Sequence, residues 1–312
     1  MGSSPGAGDR TLVGRVIASY GRHVVVEDPN QRRIRCRLAA RRLQVVCGDE
    51  VQWREDGAGQ GIVLEQLPRR SVLSRINTQG QTEAVVANIT QLIVIFAPEP
   101  APDFFIVDRY IAAAELYGLK AGVVLNKAEL TAESDACRAE LAGYGQIGYP
   151  TCSCSALASR GVDELRALLQ NEVSVLVGQS GVGKSTLANW LLPGLEAQTA
   201  ALSRSTMEGQ HVTSAATLLH LPFGGDLIDS PGVRDYAPAL ELLVDAAHAF
   251  REFATPAMQC RFQDCRHLRE PDCGVRQAVE AGNIAQRRYE SYRRLLRLQA
   301  KLRETRPRRA GK

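Results

Sequence analysis

Residues 178–185 have the types and spacing of a loop that binds phosphate, because they read Gly-Gln-Ser-Gly-Val-Gly-Lys-Ser. The apolar run VSVLV precedes them and TLANWLL follows, so the loop is predicted to connect a strand to a helix. Glycines let backbone N–H groups surround a β-phosphate at a helix N-terminus, where negative charge is favoured. Lys184 is predicted to reach the β- and γ-phosphates, and the Ser185 hydroxyl to bind Mg²⁺. The residues predicted to contact the nucleotide here are Gly178, Gln179, Ser180, Gly181, Val182, Gly183, Lys184, Ser185 and Thr186.

A second phosphate motif is predicted at Asp229-Ser-Pro-Gly232, which ends the apolar run GDLID. On its own, the sequence DSPG is more often a type I turn. Downstream of a phosphate loop, however, Asp229 is predicted to hold Mg²⁺ through water, and the N–H of Gly232 to sense the γ-phosphate.

The sequence Asn126-Lys127-Ala-Glu129 follows the apolar run AGVVL and resembles the NKxD motif that reads guanine. The carboxylate of that motif accepts two hydrogen bonds from guanine that adenine cannot supply. The glutamate is one methylene longer than the aspartate expected. Ser155-Ala156 matches a short element whose backbone contacts the guanine oxygen. Together these elements favour GTP over ATP.

The order of the motifs is unusual, since the base-reading elements precede the phosphate loop, whereas in most GTPases they follow it. The same sheet forms if the chain enters it at a different strand, so a circular permutation is predicted. The permuted chain leaves the domain just after the segment that responds to the γ-phosphate. A Cys-rich segment comes next, and movement of the switch is predicted to be transmitted to it.

Cys260, Cys265, His267 and Cys273 follow the spacing C-x₄-C-x-H-x₅-C. Three thiolates and one imidazole supply the four ligands of a closed tetrahedral zinc site. One structural Zn²⁺ is therefore predicted to stabilise a segment too short to be held by burial alone. Clustered free cysteines on a helix are the alternative. The other five of the eight cysteines share no pattern and are interpreted as buried or incidental thiols.

Residues 11–67 contain short strand patterns separated by turn residues. About five strands in so short a segment predict a closed β-barrel of the OB type, which commonly binds nucleic acid. Arg33, Arg35 and Arg37 alternate along one strand and are predicted to share a face. An all-β adaptor that binds no nucleic acid is the alternative.

From about residue 90, apolar strands alternate with helical stretches, which predicts a mostly parallel sheet covered by helices. After about residue 238 the chain is predicted to be helical, then Cys-rich, and then to form a basic helix.

Charge is segregated along the chain, although the formal net charge is only +4. Residues 1–70 carry +4 and residues 286–312 carry +9, whereas residues 71–285 carry −9. Basic ends favour a polyphosphate partner, although a solvated tail and a solvated barrel face are an equal alternative. No apolar run approaches the roughly 20 residues that cross a bilayer, and the N-terminus lacks a secretory core, so a cytoplasmic protein is predicted.

Together these features resemble the RsgA (or YjeQ) family of circularly permuted GTPases that depend on the small ribosomal subunit. The resemblance covers nearly the whole chain and includes PRRSVLSR, ANITQLIVI and VDRYIAAAE. Its most specific part is GQHVTSAATLLHLPFGGDLIDSPGVRDY, where family members typically carry GxHTTT and this chain has HVTS after the glutamine. The resemblance implies slow GTP hydrolysis with Mg²⁺, strongly stimulated by the small subunit, and a role in late maturation of that subunit.

The resemblance also assigns Thr213 as the switch residue that binds Mg²⁺ and the γ-phosphate. Val233 follows DSPG, where many GTPases soon supply a glutamine that orients the attacking water. Since valine forms no side-chain hydrogen bond, water must be positioned from elsewhere, and His211 is the local candidate. A histidine that packs or contacts RNA is the alternative. The predicted catalytic residues are therefore His211, Thr213 and Lys184.

The sequence thus predicts three domains. Residues 1–70 form an OB-fold RNA-binding barrel with a loose N-terminal tail, residues 71–238 a circularly permuted P-loop α/β GTPase domain, and residues 239–312 a helical zinc-binding domain with a basic C-terminal helix. A monomer is predicted, with the small ribosomal subunit and its rRNA as partners and no membrane. Two other functions remain: a GTPase that acts on another RNA or protein, and an RNA-binding zinc protein with a vestigial nucleotide site. The intact phosphate-loop motif argues against the second.

Overall fold

The computed structural model of the chain describes residues 11–57, 59–76, 81–194, 216–230 and 246–305. Within these ranges, no helix combines the length and the apolar character needed to cross a membrane.

The first five strands close into a barrel whose interior is filled by the fully buried side chain of Trp53. They are β1 (Leu12–Tyr20), β2 (His23–Glu27), β3 (Arg33–Leu38), β4 (Glu50–Glu55) and β5 (Gln60–Gln66). Pairing runs in the order β1-β2-β3-β5-β4 and back to β1, and of these pairings β3–β5 is the parallel one. The predicted OB-type barrel is confirmed.

Strand β3 alternates exposed arginines with buried apolar residues, which confirms that Arg33, Arg35 and Arg37 share one face. This face is not purely cationic. Arg33 lies 3.2 Å from a carboxylate oxygen of Glu27, and Arg37 lies 3.0 Å from one of Asp56.

After a hairpin of two strands, the chain forms a sheet in which strands alternate with helices. The elements are β6 (Val72–Ile76), β7 (Thr82–Ala87), β8 (Gln91–Phe96), α1 (Phe104–Leu116), β9 (Lys120–Leu125), α2 (Thr131–Ile147), β10 (Thr151–Ser153), α3 (Val162–Leu169), β11 (Val173–Gly178), α4 (Lys184–Leu191), β12 (Thr217–His220) and β13 (Asp226–Asp229). The sheet order is β10-β9-β8-β11-β13-β12, with β12 antiparallel and the other neighbours parallel. Every residue of β8 is buried, because α1 and α2 cover one face and α3 and α4 the other. The predicted parallel sheet is confirmed.

The carboxyl ends of the parallel strands bring the predicted motifs to one edge of this sheet. Strand β11 ends at Gly178, β13 ends at Asp229, and Asn126 directly follows β9. Strand β8 lies between β9 and β11, although it precedes both in the chain. Since neighbours in a sheet need not be neighbours in sequence, the permuted order of motifs still assembles one edge.

The barrel is joined to the nucleotide sheet by strand pairing and not only by the connecting chain. Strand β12 pairs with β13 on one side and with β1 on the other, where Ala18 lies opposite Thr217. The strands of the barrel and of the nucleotide domain therefore form one sheet of eleven strands in the described part of the chain.

The C-terminal region is helical, as predicted. It contains two 3₁₀ turns (Ala246–Ala249 and Arg251–Phe253) and the helices α5 (Ala254–Ala257), α6 (Gly274–Glu280) and α7 (Gln286–Thr305). Its core is aromatic, with the ring of Phe253 packed 5.1 Å from those of Phe250 and Tyr292.

A buried ion cluster fastens helix α7 to the nucleotide domain. Asp108 on α1 is 1% exposed and accepts hydrogen bonds from Arg287 (2.7 Å), Arg288 (2.8 Å) and the hydroxyl of Tyr144 (2.6 Å). Arg288 also donates to Glu252 at 2.7 Å. Buried charges need such partners, because burial without them costs several kcal/mol per ion.

Two of the arginines that make residues 286–312 so basic do not contribute to a basic surface, which corrects the prediction for this part of the helix. Arg288 is 1% exposed, and Arg287 is held by Asp108 and Glu140. A charge pattern along one helix does not reveal carboxylates that another element brings to it. These two arginines therefore belong to the core contact of the C-terminal region.

Replacing Asp108 by Asn should lower the free energy of unfolding by about 3–5 kcal/mol, because Arg287 and Arg288 would keep their charges with one carboxylate fewer. Urea unfolding of the full-length protein measures this loss. Glu290→Gln is the matched control, since it breaks the exposed pair with Arg293 and should cost less than about 1 kcal/mol. Equal losses in the two variants would contradict the role of the buried cluster.

Candidate nucleotide and zinc sites

Two glycines of the phosphate loop have conformations and surroundings that exclude a side chain. Gly178 (φ 145°) and Gly183 (φ 93°) lie in the region of positive φ that glycine adopts without strain. A Cβ on Gly178 would lie 2.1 Å from the carbonyl oxygen of Ile95, and one on Gly183 would lie 2.4 Å from Nδ2 of Asn126. The loop therefore packs directly on β8 and on the segment that follows β9.

Lys184 begins helix α4, and its side chain folds back over the loop. Its Nζ donates to the carbonyl oxygens of Gly178 and Gln179, at 2.8 Å each. Lys184 also lines one cavity together with Asp229 and Ser230, at the end of β13. The fold thus brings the loop lysine next to the aspartate of the second phosphate motif.

Ser185 and Thr186 lie exposed in the first turn of α4, where the helix dipole favours an anion. The Ser185 hydroxyl and the Asp229 carboxylate are hard oxygen donors of the kind that Mg²⁺ prefers. The residues present therefore fit a magnesium ion bound together with a nucleotide phosphate.

The side chain of Asn126 joins the base side of the site to the phosphate side. Its Nδ2 donates to the carbonyl oxygen of Val182 at 2.9 Å, within the phosphate loop. Its Oδ1 accepts a hydrogen bond from the backbone N–H of Ala156 at 3.4 Å. The three predicted motifs around residues 126, 155 and 182 therefore meet at one amide group.

The remaining residues predicted to contact the base, Lys127, Glu129 and Ser155, form a partly buried surface that is called the base-side wall. Nζ of Lys127 donates to the carbonyl oxygen of Glu99 at 2.9 Å, and the buried Oγ of Ser155 accepts from the N–H of Ala158 at 2.9 Å. Oε2 of Glu129 is buried and accepts no hydrogen bond from the described residues. A buried carboxylate oxygen without a donor is costly, and the N–H groups of guanine are suitable donors.

One contact of the phosphate loop is not foreseen from sequence. Oε1 of Gln179 accepts from the N–H of Asp103 at 3.2 Å, and its Nε2 donates to the carbonyl oxygen of Ala101 at 3.4 Å. Asp103 caps helix α1 by accepting from Phe105. The segment before α1 has no nucleotide-binding pattern, so only the fold shows that the loop touches it.

Three predicted site residues, His211, Thr213 and Gly232, lie outside the described residues. Their predicted roles stay predictions.

The four predicted zinc ligands converge at one point, with their ligand atoms all within 4.8 Å of one another. Nδ1 of His267 lies 3.5 Å from the sulfurs of Cys260 and Cys273, and these sulfurs lie 3.9 Å apart. A zinc tetrahedron with bonds of about 2.3 Å to sulfur and about 2.0 Å to nitrogen requires nearly these separations. The side chains therefore fit one Zn²⁺ with four protein ligands.

The loop that carries these ligands is tied to helix α7 and capped by a carboxylate. The hydroxyl of Tyr289 donates to the carbonyl oxygen of His267 at 2.6 Å. Burial raises the pKa of Glu270, but the backbone N–H groups of Arg266, Leu268 and Arg269 outweigh it and lower the pKa to about 2. The charged cap satisfies backbone donors that the tight loop cannot pair by itself.

A phosphate loop between a parallel strand and a helix, with the base-side motifs earlier in the chain, defines a circularly permuted P-loop GTPase. Comparison with known proteins narrows this class. The family model described as RsgA GTPase matches residues 66–238. The small ribosomal subunit biogenesis GTPase RsgA of Pseudomonas aeruginosa is 45% identical over 285 residues, which cover 91% of this chain and 84% of that protein. The chain belongs to the RsgA GTPase family, and the prediction of a GTP-hydrolysing enzyme is confirmed.

Two solved structures support the same conclusion for the fold. YjeQ from Thermotoga maritima has a TM-score of 0.74 and 31% identity, with 95% of this chain and 100% of that chain covered. YloQ, described as a circularly permuted GTPase, has a TM-score of 0.70 and 24% identity, with 98% of this chain and 100% of that chain covered. The predicted three-part architecture, with barrel, permuted P-loop domain and helical zinc-binding region, is confirmed.

Glu129→Gln should weaken GDP binding about 10- to 100-fold and reduce the preference for GTP over ATP, because guanine would lose hydrogen bonds to a charged acceptor. Glu129→Asp should keep or improve that preference. Competition of GTP and ATP against a fluorescent GDP analogue measures both. Glu164→Gln, at an exposed position on α3, is the control and should bind as the unchanged protein does. Equal competition by ATP in the unchanged protein would show that Glu129 does not read guanine.

Metal analysis of protein purified without chelator should find about one zinc per chain. Cys273→Ser should remove most of it and make the C-terminal region sensitive to proteases, since metal binding stabilises a small domain directly. Cys137→Ser is the control, because that buried thiol lies on α2, and it should retain the zinc. Protein without zinc, or retention by Cys273→Ser, would rule out the site.

Proposed function

We propose that this protein is a GTPase that binds the small ribosomal subunit, assists its late maturation, and hydrolyses GTP faster when the subunit is bound. The contact of Asn126 with both the phosphate loop and the guanine-side element is the observation that carries the nucleotide part of this proposal. The ribosomal part is supported by relatives that are named for biogenesis of the small subunit.

The proposed roles follow the chemistry of each side chain. The ammonium of Lys184 stabilises charge on the β- and γ-phosphates, and Ser185, Asp229 and Thr213 hold Mg²⁺ directly or through water. When bound, Mg²⁺ neutralises the charge that develops during phosphoryl transfer. The N–H of Gly232 responds to the γ-phosphate.

The guanine base is proposed to lie against the base-side wall. Asn126 and Lys127 frame this side, Glu129 accepts from the base, and the backbone at Ser155 and Ala156 contacts its oxygen. The buried oxygen of Glu129 supports this placement, because the described residues supply it with no donor.

His211 is proposed to position the attacking water in the stimulated reaction, since Val233 cannot hydrogen-bond with it. A packing or RNA-contact role is the alternative. Turnover of His211→Ala with small subunits decides between them, because a positioning residue lowers stimulated turnover while nucleotide binding is kept.

We propose that the barrel and helix α7 contact rRNA. Arg293 and Arg297 are exposed on α7, whereas Arg288 is buried and cannot serve this role.

We propose a monomer that acts in the cytoplasm. The proposed domain boundaries are residues 1–70, 71–238 and 239–312, and the family match over residues 66–238 supports the middle one.

GTP turnover by the purified protein, measured with and without small subunits, tests the proposal against the two alternatives. A GTPase with another target turns over GTP without stimulation, and a zinc protein with a vestigial site does not turn it over. Ser185→Ala is the control, and its turnover should fall by orders of magnitude with the fold intact.

The double substitution Arg293→Gln and Arg297→Gln should weaken subunit binding and flatten its salt dependence by about two log units per log unit of salt, one for each lost phosphate contact. Substitution is used because removal of α7 would take away its buried core residues. Binding to small subunits at several salt concentrations measures the slope. Arg166→Gln, at an exposed position on α3, should leave the slope unchanged. If the salt dependence of binding is the same for the double variant and the unchanged protein, helix α7 does not contact rRNA through these arginines, and the barrel must make the rRNA contact.

A further inference from the structure

The hairpin of β12 and β13 carries Asp229 and pairs with strand β1 of the barrel. Its strands pair over four residues each, with Thr217 opposite Asp229 and His220 opposite Asp226. At the first of these positions, Ala18 of β1 pairs with Thr217. The barrel strand therefore lies two strands from the aspartate assigned to Mg²⁺.

At the other end of the hairpin, His220 connects it to the barrel through two carboxylates. Its Nδ1 lies 2.6 Å from Oδ1 of Asp226 on β13, and its Nε2 lies 2.6 Å from Oε1 of Glu27 on β2. The second oxygen of each carboxylate contacts an arginine of the barrel, Arg15 at 2.6 Å from Asp226 and Arg33 at 3.2 Å from Glu27. When His220 is protonated, all four carboxylate oxygens have a cationic partner.

Protonation of His220 decides whether this cluster holds together. An imidazolium donates from both nitrogens, whereas a neutral ring donates from one and turns a lone pair toward the other carboxylate. The hydrogen bond to Asp226 raises the pKa of His220 above its ordinary value, and Glu27 adds to this against the opposing effect of partial burial. One further titratable group, the Cys47 thiol, lies near Arg15 and Asp226. Burial raises its pKa to about 12, so it stays neutral between pH 6 and 9. Asp49, two residues further along the chain, is paired with Arg69 at 2.7 Å.

We propose that His220 is a positioning residue for GTP hydrolysis. Its imidazolium, paired with Asp226 and Glu27, holds the β12–β13 hairpin against the barrel, and this set of contacts is called the latch. Through the hairpin held in this way, RNA binding to the barrel changes the position of Asp229. Asp226 and Asp229 are the first and last residues of the same short strand, so a displacement at one end moves the other. This inference rests on the proposed function, because it takes the barrel to be an RNA-binding part.

The latch depends on pH in a defined direction. The stability that the latch gives to the β12–β13 hairpin is fully present below about pH 6.5, the ordinary pKa of histidine. It is lost as the pH rises through the pKa of His220 in the folded protein, which lies above that value.

Hydrogen exchange of the β12 and β13 amides in the full-length protein measures the latch without nucleotide or ribosome, once intrinsic pH effects are corrected. Protection should fall about fivefold between pH 6 and pH 9. His220→Gln should show at pH 6 the weak protection of the unchanged protein at pH 9. His220→Lys keeps a charge over this range and should hold protection constant. His248→Gln, outside the cluster, should follow the unchanged protein. Identical exchange in His220→Gln and the unchanged protein at pH 6 would overturn the latch.

The coupling to Asp229 has a separate measurement, the ratio of GTP turnover with and without small subunits at pH 6. In His220→Gln this ratio should fall about threefold or more while the subunit still binds. A normal ratio in a variant with weakened hairpin protection would overturn the coupling. Absence of any stimulation in the unchanged protein would refute the proposed function and the coupling with it, whereas hydrogen exchange decides the latch independently.

Discussion

The nucleotide site depends on one amide side chain, that of Asn126. The phosphate loop follows β11 and the guanine-side element follows β10, and β8 and β9 lie between these strands in the sheet. Asn126 reaches both, because it lies directly after β9 and donates to one loop while it accepts from the other. Gly183 packs so closely on this amide that a larger residue there would have to displace it. The relative position of the two predicted halves of the nucleotide site is therefore held by one side chain at the edge of a parallel sheet.

Two separate ion clusters connect the flanking regions to this core. Asp108 joins α1 to the C-terminal helix, and Asp226 joins the β12–β13 hairpin to the barrel. Each carboxylate has more than one cationic partner, which offsets the cost of removing it from water. The first cluster pairs the buried Asp108 with two arginines, which do not lose their charge in proteins, whereas the second is half-buried and contains a histidine. The two attachments therefore differ in how readily they can be opened.

Local patterns in the sequence predict most of the site. The predicted zinc ligands Cys260 and Cys273 are close in the chain, so their spacing nearly defines their geometry, and the structure brings them together as predicted. The phosphate loop is predicted for the same reason. Contacts between distant segments are not predicted, and the contact of Gln179 with Asp103 is one example. Arg288 is another, because its position on the helix favours a surface charge until Asp108 and Glu252 are placed around it.

The amino-acid sequence alone predicts the chemistry available: a loop for phosphate, a base-reading motif, four soft metal ligands and an alternation of strands and helices. These depend on residue type and short-range spacing, which the chain carries in full. The pairing of charges, the junction of the barrel with the nucleotide sheet through β1 and β12, and the link that His220 makes between them are seen in the folded chain alone. The contacts that link these regions join distant residues, such as Asp108 and Arg288, which are 180 positions apart, and Glu27 and His220, which are 193 apart. The free energy of such a contact comes from a partner that neither local segment contains.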